Sequence, residues 1–395
     1  MTAVIDDGTR PRRVSFLNDP KVRSRAAQII FLLVLVWLGY EIVHNTSANL
    51  TKLGKNVDFG FLRNTAGFDI IQRPIEYSRE SSYFVAIVVG FINTLIVAIL
   101  GIICATIIGF VVGIMRLSSN WLVAKLATGY VEIIRNIPLL LQILFWYTAV
   151  LKPLPGPKES LSFFGFAFLS NRGLIVPKPI WSDGAGFVGV ALIIGCIAAI
   201  AISRWARLRQ ERTGEQFPSF WAGLGAIIGL PLITFLVAGA PVTFEYPEFK
   251  GFNFVGGTTI LPELIALLLA LSIYTASFIA EIVRAGIMAV SHGQSEAAHA
   301  LGLRAQPTLR LVVIPQALRV IIPPLTSQYL NLTKNSSLAV AIAYPDLVAM
   351  GGVVMNQSGR AVEIVVIWMI VYLTVSLLTS SFMNWYNARV RLVER

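Results

Sequence analysis

Residues 83–115 read YFVAIVVGFINTLIVAILGIICATIIGFVVGIM, with no Asp, Glu, Lys or Arg among them. A helix needs about 20 mostly apolar residues to cross a bilayer. This run is therefore a spanning helix, long enough to tilt or to project into water. Working outward from it, seven more apolar runs emerge: 26–43, 126–151, 186–203, 220–239, 262–290, 320–344 and 362–386. The run 262–290 also exceeds the thickness of a bilayer. The pattern predicts an all-α polytopic membrane protein with about eight spans. Composition agrees. Of 395 residues, 55% are hydrophobic and only 13% charged, whereas soluble domains carry about a quarter charged residues. The first run is long for the core of a signal peptide, and Tyr40-Glu41 follows it in place of a small-residue cleavage site, so it reads as a retained helix.

The net charge of +11 sits in short runs beside the apolar segments and forms no single basic stripe. That pattern orients a membrane protein and excludes a nucleic-acid partner. With the N-terminus in the cytoplasm, the cytoplasmic segments collect Arg10, Arg12, Arg13, Lys21, Arg23 and Arg25, then Arg116 and Lys125. They also collect Arg204, Arg207, Arg209 and Arg212, then Arg284, Arg304, Arg310 and Arg319, and finally Arg389, Arg391 and Arg395. Eight spans return the C-terminus to the same side, so both termini are expected in the cytoplasm. Stretch 152–187, rich in Pro and Gly, reads as an external loop. The two spans after it enclose a basic cytoplasmic hairpin around Arg204-Trp-Ala-Arg-Leu-Arg209. Cys104 and Cys196 lie inside apolar runs and read as buried small hydrophobes.

One loop carries a motif. Gly293-Gln-Ser-Glu-Ala-Ala-His-Ala-Leu-Gly-Leu303 continues to Leu311-Val-Val-Ile-Pro315. It resembles the EAA loop of ATP-binding-cassette (ABC) importer permeases: Glu-Ala-Ala, three residues, Gly, nine residues, then Ile-x-Leu-Pro. Val312 and Ile314 replace two aliphatic positions of that pattern. Ser295 is expected to cap a short helix whose first turn holds Glu296, and Ala297, Ala298 and Gly302 leave room for another protein's surface. Phe91-Ile-Asn-Thr-Leu-Ile-Val-Ala98, Tyr130-Val-Glu-Ile-Ile-Arg-Asn-Ile-Pro138, Ala280-Glu-Ile-Val-Arg-Ala-Gly-Ile287 and Gln328-Tyr-Leu-Asn-Leu-Thr-Lys-Asn-Ser-Ser-Leu338 resemble the polar amino-acid branch of that family. The extra spans and Phe168-Leu-Ser-Asn-Arg-Gly-Leu174 look like the larger permease of general L-amino-acid importers.

That resemblance implies a type I ABC importer permease core of five helices plus about three extra spans. It divides the chain into a basic N-terminal segment (1–25), an added first helix with its periplasmic loop (26–82) and a first part of the core (83–151). An insert with a periplasmic loop and two added helices (152–261) follows. The second part of the core (262–386) contains the EAA loop at about 291–318, and a basic tail (387–395) ends the chain. It further implies transport of L-amino acids through the bacterial inner membrane, with a second permease subunit in a heterodimer. Two ATPase subunits, a periplasmic amino-acid-binding protein and the surrounding membrane lipid complete the assembly.

Polar residues within spans are functional candidates. Asn93 and Thr94 are candidates for the substrate pathway or for bonds between helices. Glu281 is a candidate for a substrate ammonium. Asn331, Lys334, Asn335 and Ser336 form the most polar patch in any span. Lys334 suits a carboxylate or a pairing with Glu281. Glu132 and Arg135, three apart, read as a local ion pair. Gly109-x-x-x-Gly113 permits close helix packing. There is no phosphate-binding loop, so ATP and Mg²⁺ are expected on the partner ATPase and no cofactor in this chain. His44, His292 and His299 have no metal spacing, and no nucleophile–base arrangement is present, so neither a metal site nor catalysis is expected. The rival reading is an ion-coupled secondary transporter, with Pro323-Pro324 breaking a helix and Glu281 with Lys334 carrying protons. A structural or sensory membrane subunit is a third reading, and the polar patch opposes it.

Overall fold

A computed structural model of the chain describes residues 20–52 and 57–390. Arg10, Arg12, Arg13, Arg391 and Arg395, on which the orientation partly rests, lie outside them. The helices are α1 (Pro20–Lys52), α2 (Tyr83–Met115), α3 (Trp121–Asn136), α4 (Leu139–Leu144), α5 (Ala185–Thr213) and α6 (Ser219–Val237). They continue with α7 (Pro262–Met288), α8 (His292–Ala300), α9 (Ala305–Thr308), α10 (Ile314–Asn335), α11 (Leu347–Ser358) and α12 (Ala361–Val390). Among the described residues seven helices are long and apolar enough to cross a membrane, or eight if one bent pair counts as a span. The class is that of a helical polytopic membrane protein.

The core is built on α7, whose buried residues include Leu267, Leu271, Ile279 and Val283. Its apolar window is 56% buried, against 11% for α5 and 6% for α6, so α7 is the centre and the other two face outward. Lipid offers no hydrophobic force to drive helices together, and close van der Waals packing has to do it. The glycines of α2 make that packing possible. A Cβ on Gly109 would stand 2.6 Å from the Cβ of Ile279, and one on Gly113 would stand 2.8 Å from the Cβ of Val283. Gly90 approaches the Asp346 carbonyl in the same way, and Gly286 of α7 approaches Ile321. The small-xxx-small pattern in 83–115 is thus the seam between α2 and α7.

The run 126–151 is not one straight span. Pro138 disfavours helix at the residue before it, and Ile137 is extended at φ −97° and ψ 126°. The axis turns by 104° between 121–136 and 139–151. Gln142 repairs the break, its Nε2 donating to the Ile134 and Ile137 carbonyls, both at 3.0 Å. The run 320–344 is longer than expected. Helical structure extends over 305–342 and passes through Pro323 and Pro324, which withhold two backbone donors. After Ala343, left-handed at φ 58°, comes α11, a short helix that the apolar periodicity does not separate from its neighbours.

The stretches 161–181 and 242–260 are paired into small sheets, an addition to the helical class. β1 (Leu161–Phe163), β2 (Ala167–Ser170) and β3 (Gly173–Val176) are joined by β8 (Thr258–Ile260) in the order β1-β2-β3-β8. Next along the chain, β4 (Lys178–Trp181) pairs with β5 (Val242–Glu245), and β6 (Glu248–Lys250) pairs with β7 (Asn253–Val255). The pairings are nested. β3 with β8 encloses everything from β4 to β7, and β4 with β5 encloses α5 and α6 within that. α5 and α6 pack on each other at Gly195, where a Cβ would meet the Ala226 carbonyl at 2.5 Å. Arg204 to Arg209 lie on α5 itself and not in the turn, because the helix runs on to Thr213. Cys104 and Cys196 are exposed, contrary to the reading as buried residues. An apolar side chain on a spanning helix gains as much from lipid as from a core.

Candidate functional site

The EAA loop forms α8 at the end of α7. Its N-cap position is Ser291, and the helix already begins at His292. Ser295 is therefore one turn inside and caps nothing, because Ser291 takes the extended cap conformation first. Glu296 is exposed and shares a 2.9 Å hydrogen bond with His292 Nδ1. Ala297 is exposed, while Ala298 is buried where α8 packs on α9 and the π-turn Leu309–Val313. Gly302 ends the helix. Its N–H donates to the His299 carbonyl at 2.9 Å, and the Leu303 N–H donates to the Ala298 carbonyl at 3.1 Å. This is the double bond of a Schellman cap, and it places Gly302 at φ +80°. Gly302 is thus required for its backbone as well as for its small size. Beside it, Leu301 is 84% exposed, an apolar tip on a polar loop.

Glu281 binds two arginines. Its Oε1 accepts from Arg284 Nη2 at 2.6 Å, and its Oε2 from Arg116 at the end of α2. A carboxylate held on both oxygens is not free for a substrate ammonium. Nor does it pair with Lys334, so the sequence-based pairing and the proton pair of the secondary-transporter reading are both absent. Glu132 and Arg135 do not pair either. Arg135 lies 5.0 Å over the Phe278 ring of α7, while Glu132 is exposed.

Asn93 and Thr94 are buried and held by backbone. Asn93 Nδ2 donates to the carbonyls of Gln72 and Pro345 at 3.0 and 2.9 Å. Thr94 Oγ accepts from Leu347 N at 3.0 Å and donates to the Gly90 carbonyl. These bonds pin α2 to the turn before α11, and neither side chain faces an open surface. The polar patch of α10 divides. Ser336 is buried and donates to the Thr333 carbonyl at 2.7 Å, whereas Asn335 is half-buried. Asn331 and Lys334 are exposed, one turn beyond exposed Ser327. Lys334 has no side-chain hydrogen bond or ion pair among the described residues. These three positions share one outward face, below the backbone that Pro323 and Pro324 leave underbonded.

Asp346 was missed by sequence reasoning. It lies in the turn between the spans, fully buried, and its Oδ1 caps α11 by accepting from Ala349 N at 2.8 Å. Its Oδ2 has no partner among the described residues. Burial pushes its carboxyl up to about 7, although the backbone donors oppose this. Tyr344 beside it donates to the Asn93 carbonyl and accepts from Gln72. The legible signal was Pro345-Asp346 ahead of an apolar run, a helix start.

Residues 191–392 match the family described as binding-protein-dependent transport system inner membrane component. The chain is 56% identical to the general L-amino acid transport system permease protein AapQ of Rhizobium johnstonii, over 96% of this chain and 95% of that protein. It is 49% identical to the putative amino-acid ABC transporter permease protein YhdX of Escherichia coli, over 97% of each. It is 44% identical to the glutamate/glutamine/aspartate/asparagine transport system permease protein BztB of Rhodobacter capsulatus, again over 97% of each.

Proposed function

The chain belongs to the family of binding-protein-dependent transport system inner membrane components, and on that premise we propose that it forms half of the passage of an L-amino-acid importer. The observation that carries this reading is the outward face of α10, with Asn331 and Lys334. A lysine facing hydrocarbon costs about 3 kcal/mol, so this face belongs against a water-filled path or a second subunit. An ammonium there suits the carboxylate common to all amino acids. The other half of the passage comes from a second permease subunit, in keeping with the unequal, enlarged insert of this one. A periplasmic binding protein delivers the substrate on the side of the small sheets, and both termini lie in the cytoplasm.

α8 is the element on which a separate ATPase docks, through Glu296, Ala297, Gly302 and the exposed Leu301. ATP and Mg²⁺ act there and not on this chain. Closure of the ATPase pair moves α8, and the Glu281 ion pairs link that movement to α2 and α7. ATP then biases a two-state membrane element through the contacts it makes in each state. The test is uptake into proteoliposomes holding this chain, its partner permease and the ATPase. Uptake of labelled amino acid that needs both ATP and binding protein supports the proposal. Uptake driven by an ion gradient without ATP would replace it with the secondary-transporter reading.

A further inference from the structure

A crevice of about 880 Å³ opens between α5, α6 and α12, and neither α8 nor α10 contributes a lining residue. One face of α5 forms its long wall. Cys196, Ala199 and Ile200 come first, then Ser203, and Arg204 and Arg207 lie furthest along it. Ile227 of α6 and Trp385 of α12 form the other walls. At 1.5 Å per residue, Cys196 to Arg207 covers about 16 Å. That is about half of a 30 Å hydrocarbon core, the depth of one leaflet. Ala185, at the start of α5, follows the external sheets, so Arg204 and Arg207 fall at about the opposite face of the membrane.

The charges at that end are available. Arg209 is engaged by Glu215 at 2.7 Å and by the Trp205 ring. Arg204 and Arg207 are exposed, and neither is in an ion pair among the described residues. The crevice thus joins a leaflet-deep apolar wall to two free guanidiniums at the cytoplasmic surface. Guanidinium groups bind phosphate by paired, charge-assisted hydrogen bonds, and basic pockets between spans on this side suit anionic headgroups.

We infer that this crevice binds one anionic phospholipid of the inner leaflet, its phosphate on Arg204 and Arg207 and an acyl chain along Cys196–Ser203. The added pair α5 and α6 is then a lipid-holding element set against α12. The inference rests on the membrane placement of α5 and not on which solute is carried.

The test uses the intact transporter, purified in mild detergent with equal mole fractions of phosphatidylglycerol and phosphatidylcholine, and native mass spectrometry to count retained lipids. One phosphatidylglycerol per copy of this chain is expected, preferred at least tenfold over phosphatidylcholine. Arg204→Gln with Arg207→Gln should abolish the preference. Ser203→Trp, which fills the crevice and keeps both charges, should abolish retention of the lipid. Melting temperature and uptake by each variant in neutral lipid report that the fold survives. Absence of a preference in the unaltered protein overturns the inference, as does a preference that persists in both variants. A second subunit found cross-linked through Cys196 with no lipid retained also overturns it.

Discussion

Glu281 illustrates how a side chain's neighbours set its role. Arg116 is nearly buried, with its side chain 9% exposed, and Glu281 is 29% exposed. Glu281→Gln leaves Arg116 facing low dielectric without its counter-charge. Fully buried pairs lose about 3–5 kcal/mol on such a change, and the partial exposure brings the expected loss to about 2 kcal/mol. Thermal melts in detergent should show Glu281→Gln less stable than the double variant with Arg116→Met. Equal loss in both would mean the pair carries no coupling. Lys334→Met is expected to behave in the opposite way, keeping the melt and lowering amino-acid uptake at least tenfold. Full uptake by that variant would remove Lys334 from the passage. Asp346 adds a pH signature. Its carboxyl titrates near 7 when folded, against an ordinary value of 3.8, so the folded state holds the proton more tightly. Stability therefore falls as pH rises from about 4 to about 7. Asp346→Asn keeps a capping oxygen and should flatten the difference between melts at pH 5 and pH 8. A slope left unchanged by that variant would assign it to another group.

At the scale of elements, two kinds of glycine need separate tests. Gly302 is held at φ +80° with nothing within 4 Å of a Cβ built on it, so an alanine there strains the backbone and touches nothing. The cost is about 1–2 kcal/mol of local structure, paid by the last turn of α8. Gly302→Ala should leave the membrane core's melt unchanged and weaken ATPase co-purification. Glu296→Lys should do the same by charge, and normal coupling in both variants would count against docking at α8. Gly113 is the reverse case, in ordinary helix but with Val283 in the way. Gly113→Val should cost about 1–3 kcal/mol by overpacking and lower the yield of folded protein. Gly129 in α3, where a built Cβ has nothing within 4 Å, should accept alanine with no loss.

At the scale of the molecule, the nested strands show how a pair of spans fits into the chain without displacing the core. Trp181 and Val242 are already antiparallel partners, and the Ser182 N–H reaches the Pro241 carbonyl at 3.1 Å. Replacing residues 182–241 with a two-residue Asn-Gly turn joins strands whose twist that turn matches. Two spans leave together, so the orientation of everything after them is preserved. The shortened chain is expected to insert, to retain its partners and to lose the anionic lipid. Failure to insert would mean that α5 and α6 are part of the core.

The periodicity and charge of the sequence by themselves determined that lipid is the solvent, where most spans lie and where the loop bearing Glu296 and Gly302 falls between two of them. Those are one-dimensional properties: hydropathy sums along the chain, and the glycine of a helix stop is local. The nested sheets were not legible, because each strand pairs with one far away in sequence, whereas the bend at Pro138 and the start of α11 at Pro345-Asp346 had local signals that the apolar periodicity overrode. Only the tertiary structure decided which polar side chains are free. Glu281, Asn93 and Lys334 look alike as polar residues in apolar runs, yet Arg116 reaches the first, the turn before α11 reaches the second, and no described side chain reaches the third. In low dielectric an unpaired charge is costly and a paired one is silent, so the partner and not the residue type separates fold from function.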